Sequence, residues 1–441
     1  MNKEYRAQKV FCRIVWELEQ DAPQWHRSGG WLVSTSLRSL PMLASLIIFC
    51  ATYLVLALGR LPGFRVDRTG AAIIGASLMI GFNVLTLEEA FQSVNYDTII
   101  LLFGMMIVVA NLRLSGFFAL VSEWVVEHAH RSLTLLCLIV LVSGTFSAFF
   151  VNDTMCLVLT PLVLDIVTCL RRNPIPYLLS VAMAANIGSV ATMTGNPQNM
   201  MIGTFSHIPY RTFFFHLAPV ALMGLGLTVL LIYLIYRQEF RHQSRVKIEK
   251  PRIFIHRALL WKSFLTSVAM IILFFAGWPV SKVAVVAGAV LLITRRVKPV
   301  RIYREIDWSL LVLFVGLFIV LAGIEKTSLV HDLAQIVSHS HLDHVGLLSL
   351  LSVIVSNLVS NVPAVLLFKP LIIQLSDPSK AWLVLAMSST LAGNLTLLGS
   401  IANLIVVERS RHEVTISFWE YLKVGVPLTT LSVLFGVWML G

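Results

Sequence analysis

Apolar residues gather along this chain in long runs separated by short polar stretches. Runs begin near Met42, Gly70, Tyr96, Tyr177, Phe213, Leu259, Val280, Asp307, Trp382 and Phe418. A bilayer-spanning helix needs about 20 predominantly apolar residues, so each run predicts one crossing. Two further apolar pairs, Leu133 to Leu170 and Val345 to Leu375, carry polar residues near their middles and predict hairpins. The expected fold is an all-α polytopic membrane protein of about ten transmembrane helices, two re-entrant hairpins and two broken helices.

The polar interruptions occur twice. Ser147-Ala-Phe-Phe-Val-Asn152-Asp-Thr with Pro161 is matched by Ser356-Asn-Leu-Val-Ser-Asn361-Val-Pro with Pro370, and Asn152 and Asn361 stand 209 positions apart. Thr192, Gly195 and Asn199 recur 204 positions later as Thr396, Gly399 and Asn403. Helix-breaking residues at corresponding places in two hydrophobic halves mark the central site of a duplicated secondary transporter. The halves divide the chain into an N-terminal tail (1–40), repeat 1 (41–236), a basic linker (237–258) and repeat 2 (259–441). Repeat 1 holds a hairpin at 133–170 and a broken helix at 177–205, and repeat 2 holds them at 345–375 and 381–407.

Composition excludes an ordinary soluble globule, with 57% apolar and 13% charged residues. A net charge of +11 would suggest nucleic acid in a soluble protein, but here the basic residues sit in loops. Arg237 to Lys262 holds eight Lys or Arg against Glu239 and Glu249, and Arg295 to Arg304 holds five with no acid, which assigns both loops to the cytoplasm. Asn83 to Asp97 carries only acidic charges and fits the opposite face. These anchors make the repeats inverted relative to each other and the protein a multi-pass protein of the inner or plasma membrane. Counting back places the N-terminus outside, although Lys3, Arg6, Lys9 and Arg13 favour inside; Tyr5 to Glu19 reads as a surface helix or a frayed tail. The five cysteines are scattered without CxxC spacing and imply no disulfide framework.

Irregular peptide is tolerated at membrane depth only where protein or a water-filled cavity supplies hydrogen-bond partners. A helix beginning at Asn152 or Asn361 points free N–H groups and a positive dipole end into such a cavity. The alternative is an ordinary turn at the water surface. Around Gly195 and Pro197 the helix is expected to break and to leave carbonyls near Met193 to Gly195 free for a cation or polar solute. Small residues for close packing are the alternative for Gly188, Gly393 and Ser400. Asp153, whose repeat partner is Val362, is an ionisable group within a membrane segment and marks an ion or proton pathway; a simple helix cap is the alternative. Lys369 reads as a snorkelling side chain or a counter-ion for Asp153 or an anionic solute. Asp97 and Asp307 each open an apolar run as N-caps. His339-Ser-His341-Leu-Asp343-His344 matches the HxHxDH pattern of metallo-beta-lactamase-type hydrolases, but six residues in a short loop leave no room for that fold, and a solvated loop is expected.

At these motifs the chain resembles the ion-transporter superfamily of arsenite permeases, silicate efflux transporters, citrate and dicarboxylate transporters and NhaD-type sodium/proton antiporters. Phe150-Val-Asn152-Asp153-Thr-Met-Cys-Leu-Val-Leu-Thr-Pro161, Val355-Ser-Asn-Leu-Val-Ser-Asn361-Val-Pro363, Gly195-Asn-Pro-Gln-Asn199 and Gly393-Asn-Leu-Thr-Leu-Leu-Gly-Ser-Ile-Ala-Asn403 look most like the arsenite-permease branch. The resemblance implies a scaffold and a transport portion in each half, with hairpin tips approaching the solute from opposite sides. It places Asn152, Thr154, Thr192, Gly195, Asn199, Asn361, Thr396, Gly399 and Asn403 around the solute and gives Asp153 the coupling role, with Pro363 at the second tip. The sodium-dicarboxylate branch has Ser-Asn-Thr at both tips, whereas this chain has Asn-Asp-Thr and Ser-Asn-Val, a departure that favours a proton over sodium.

The expected function is alternating-access transport of a small oxyanion or weak oxyacid, proton-coupled and non-enzymatic. A sodium-driven importer of carboxylate or inorganic anion and a sodium/proton antiporter are the alternatives. The expected partners are the solute, the coupling ion and the lipid bilayer, with no nucleic acid and no cofactor beyond that proton or sodium; a homodimer stays open.

Overall fold

The structure, a computed structural model, describes residues 33–59, 64–129, 131–241, 256–327 and 342–441, with side chains from Met42 onward. The N-terminal tail to residue 32, the middle of the basic linker, and His339 and His341 of the HxHxDH run lie outside the described residues. All regular elements described are helices. The first copy contains α1 (Val33–Leu58), α2 (Arg68–Gly81), α3 (Leu87–Ser93), α4 (Tyr96–Ser115), α5 (Phe117–His128), α6 (Ser132–Phe149), α7 (Asn152–Cys169), α8 (Pro174–Val190), α9 (Pro197–Ser206) and α10 (Tyr210–Ile235). After α11 (Arg237–Arg241) the second copy contains α12 (Arg257–Phe275), α13 (Val280–Leu292), α14 (Pro299–Tyr303), α15 (Trp308–Glu325), α16 (Val345–Val359), α17 (Asn361–Ile372), α18 (Pro378–Ala392), α19 (Ile401–Ser410) and α20 (Phe418–Leu440).

Seven described helices are long and apolar enough to cross a membrane: α4, α6, α7, α10, α12, α15 and α20. Shorter apolar helices and α18 complete the expected crossings and the arms of the two hairpins, α6–α7 and α16–α17. Their starts follow local chemistry. Three begin with an Asx-Pro pair: Asn173-Pro174, Asn196-Pro197 and Asp377-Pro378, where the Asx side chain accepts from a backbone N–H of the first turn and the proline surrenders a donor that has no helical partner. Asp307 caps α15 as expected. Asp97 does not cap α4; Asn95 does, by accepting from Thr98 N, and Asp97 instead accepts a 2.8 Å bond from Ser281 Oγ on α13. The short α3, α5, α11 and α14 were not expected, since their apolar runs are too brief to stand out. α4 ends at Gly116, whose φ of 86° turns the chain into α5.

An internal two-fold relation is visible in the packing. Gly316 of α15 lies so close to Ala72 of α2 that an added Cβ would stand 2.8 Å from the Ala72 carbonyl carbon. Gly104 of α4 repeats this against Ala284 of α13, at 2.6 Å. Both partners are shifted by the same 212 positions, so α2–α15 and α4–α13 are one contact made twice with the copies exchanged. These four helices form one block. In the other, α8 and α18 are buried along nearly their whole length, packed by the two hairpins and by α10 and α20. On the outside, α10, α12 and α20 leave Phe215, Leu222, Ile272 and Leu434 exposed, a surface suited to lipid rather than water.

Candidate functional site

Each broken helix is closed by an asparagine that faces backward. The amide of Asn199 donates to Ser189 O (3.0 Å) and Thr192 O (3.1 Å), ten and seven residues upstream. Asn403 does the same to Gly393 O (2.7 Å) and Thr396 O (3.2 Å). These carbonyls lost their helical donors at the break, and a buried carbonyl needs a partner. Gly195 O accepts from Asn152 N at 2.9 Å, which ties the first hairpin tip to the first break. Of the carbonyls expected to be free near Met193 to Gly195, that of Gly195 therefore has a protein partner. The two threonines also act in parallel: Thr192 Oγ1 donates to Ala148 O, and Thr396 Oγ1 to Asn357 Oδ1 (3.1 Å), with 148 and 357 being equivalent hairpin positions.

Asn186 and its repeat partner Thr390 join the copies. Asn186 Nδ2 donates to Asn403 Oδ1 (3.0 Å) and Asn394 Oδ1 (2.9 Å), while its Oδ1 accepts from Asn152 Nδ2 and Ser400 Oγ, both at 3.0 Å. Thr390 Oγ1 donates to Asn199 Oδ1 (3.3 Å) and accepts from Asn196 Nδ2 (3.2 Å). This relay fixes the direction of the tip amide. Asn403 must turn its NH2 to backbone carbonyls, so its oxygen meets the Asn186 NH2; the Asn186 oxygen then meets the Asn152 NH2, and Asn152 Oδ1 is left over. Among the described residues that oxygen has no hydrogen-bond partner, and neither has Asn361 Oδ1 at the other tip.

Both tips line a cavity of about 50 Å³. Asn152 and Asp153 come from the start of α7, Ser360, Asn361 and Pro363 from the start of α17, Gln198 from α9, and Gly399 and Ser400 from the second break. Arg68, Leu310 and Leu313 close it from α2 and α15. The Asp153 carboxylate lies within electrostatic reach of the Ala402 N–H at the start of α19 and of the Asp307 carboxylate. Ser360 holds a φ of 77°, a region that favours glycine, so the second tip is strained where the first is not.

Of the residues expected at the solute, Asn152, Asp153, Asn361 and Gly399 line the cavity. Thr192, Gly195, Asn199, Thr396 and Asn403 stand behind its wall and hold the broken backbone, and Thr154 is half-buried away from it. Lys369 reaches neither Asp153 nor water alone: its Nζ pairs with Glu325 Oε1 on α15 at 3.1 Å and sits 5.3 Å from the Phe205 ring centroid. Sequence reasoning missed Asn186, Thr390, Ser360 and Arg68. The 204-residue spacing would have paired Asn186 with Thr390, while Arg68 looks like any charge at the start of an apolar run. Of the HxHxDH run, Asp343 accepts from Ser376 N and Oγ, and His344 precedes α16. No group of three or more metal-ligating side chains occurs among the described residues.

Two intertwined helical copies, with two hairpin tips and two helix breaks around one polar cavity, define a polytopic membrane transporter. The chain belongs to the citrate transporter family, CitMHS, whose sequence profile matches residues 46–392. It is similar to the silicon efflux transporter LSI3 of Oryza sativa subsp. japonica, with 30% identity over 92% of this chain and 99% of that protein. It also resembles the 46 kDa membrane protein of Mycobacterium leprae (29%, covering 88% and 96%) and a putative transporter arsB of Dictyostelium discoideum (26%, covering 89% and 90%). The solved structure of the Alcanivorax borkumensis YdaH transporter, described as having an unusual topology, shares the fold with a TM-score of 0.58 at 14% identity, over 91% of this chain and 97% of that one.

Proposed function

We propose that this protein is a secondary active transporter of a small hydroxylated solute, an oxyanion or weak oxyacid, in the inner or plasma membrane, with Asp153 carrying a coupling proton. The observation that carries this reading is the pair of unpartnered oxygens, Asn152 Oδ1 and Asn361 Oδ1, beside the Asp153 carboxylate in one cavity. A buried acceptor without a donor costs about 1–3 kcal/mol, a penalty that a solute bearing O–H groups removes. The volume of about 50 Å³ suits a compact solute better than an extended one. The name of one relative, a silicon efflux transporter, agrees with a solute of that kind. Solute exchange alternates between faces, and a carboxylate that binds and releases a proton links each exchange to a gradient. No enzymatic step is assigned.

A sodium-driven anion importer is the second reading, because the same two oxygens could ligate a cation. Proteoliposomes loaded with arsenite or silicic acid separate the readings when proton and sodium gradients are imposed one at a time. Asp153→Asn is expected to abolish proton-driven flux while leaving solute exchange across the bilayer measurable. Proton-driven flux that survives this substitution, or an absolute sodium requirement unchanged by it, would falsify the proton-coupled reading.

A further inference from the structure

Two charged side chains line the cavity, and both break the internal repeat. Asp153 stands where the second copy has Val362, and Arg68, the first residue of α2, stands where it has Val280 at the start of α13. Elsewhere the wall is amide, hydroxyl and hydrocarbon. The two charges come from different blocks, Asp153 from a hairpin and Arg68 from the helix that packs on α15. They make no ion pair with each other, and Arg68 has no carboxylate partner among the described residues. Its sequence neighbour Asp67 is engaged as the cap of α2, accepting from Gly70 N at 2.8 Å. Arg68 is half-buried, with its guanidinium against Gly59. A guanidinium in such a place, with donors in a planar fork and no acid to meet them, is suited to a pair of oxygens carrying negative charge.

We propose that Arg68 reads an anionic oxygen of the solute, so that the cavity prefers the monoanion of a hydroxylated oxyacid over the neutral acid. The unpartnered oxygens of Asn152 and Asn361 ask for O–H donors, and Arg68 asks for an acceptor bearing charge. One solute that carries both kinds of oxygen meets both demands at once, whereas a neutral polyhydroxyl acid leaves the guanidinium unmet and a fully deprotonated anion leaves the amide oxygens unmet. This deepens the transport reading above and rests on it.

The test uses the full chain in proteoliposomes at neutral pH, with hydrogen selenite as the hydroxylated monoanion and boric acid and silicic acid as neutral probes, each competing against radiolabelled arsenite. Hydrogen selenite is expected to compete about tenfold or more better than either neutral acid, the scale of a hydrogen bond to a charged group. Arg68→Gln is expected to erase that preference, read as the ratio of hydrogen selenite to neutral-acid competition, and Arg68→Lys, which keeps the charge but loses the fork, to retain part of it. Equal competition by the three probes in the unaltered protein overturns the proposal, and that comparison holds even where Arg68→Gln fails to fold. Unchanged selectivity in a folded Arg68→Gln overturns it as well. Flux of none of the solutes overturns instead the transport reading beneath it.

Discussion

Asn199 commits both hydrogens of its amide to carbonyls of its own chain, and Asn403 repeats the act in the second copy. Asn361 commits no atom to a partner through its oxygen, which faces the cavity wall. The consequences of removing them should differ in kind. Asn199→Ala or Asn403→Ala strands two buried carbonyls and should lower stability by roughly 2 kcal/mol or more, seen as an earlier thermal transition in detergent. Asn361→Ala breaks no existing bond to its oxygen and should leave that transition nearly in place while weakening solute-induced stabilisation. Equal thermal shifts for the three variants would contradict this division of labour. The sequence picks out all three asparagines by their recurrence, but recurrence alone does not say which way an amide points. Direction is decided for Asn199 and Asn403 by the backbone carbonyls behind them, and for Asn152 by the relay through Asn186, whose partners Asn394 and Asn403 lie more than two hundred positions away.

At the scale of helices, two ion pairs fasten the C-terminal end of α15. Lys369 on α17 meets Glu325 at its last turn, where each side chain is less than a third exposed. Glu325→Gln leaves the ammonium with an aromatic face and no counter-charge, so it should be more destabilising than the double variant Glu325→Gln/Lys369→Met, which removes both charges. A double variant less stable than the single one would show that the pair matters for reasons other than charge balance. Just beyond, Lys326 Nζ lies 2.8 Å from both carboxylate oxygens of Glu89, the residue that closes the capping box of α3 with Thr86. The Lys326 bond, and then the Thr86 N–H, hold the Glu89 carboxyl below the usual carboxylate range. A depressed folded value means that the stabilisation is present above the ordinary range and is lost as pH falls. The difference in thermal stability between the protein and Glu89→Gln, measured at neutral pH, should therefore close below about pH 4. These pairs were illegible in the sequence because each links segments that hydrophobic periodicity treats separately. The helices themselves were legible wherever the apolar run approached the bilayer thickness; α3, α5, α11 and α14 were too short to register against it.

At the scale of the molecule, the duplicated plan could be read from spacing, and the packing of Ala72 on Gly316 and Ala284 on Gly104 follows that plan. Charge is where the plan is broken, at Asp153 and Arg68, and only the assembled fold brings those two departures to one cavity. Asn186 grips Asn403 and Asn394, and Thr390 grips Asn199 and Asn196, so each helix break is stitched to the central rod of the opposite copy. Asn152 is sewn to the same seam. A load applied at one break is therefore felt at the other, and under the transport reading proposed above the inner core travels as a single shuttle against its frame.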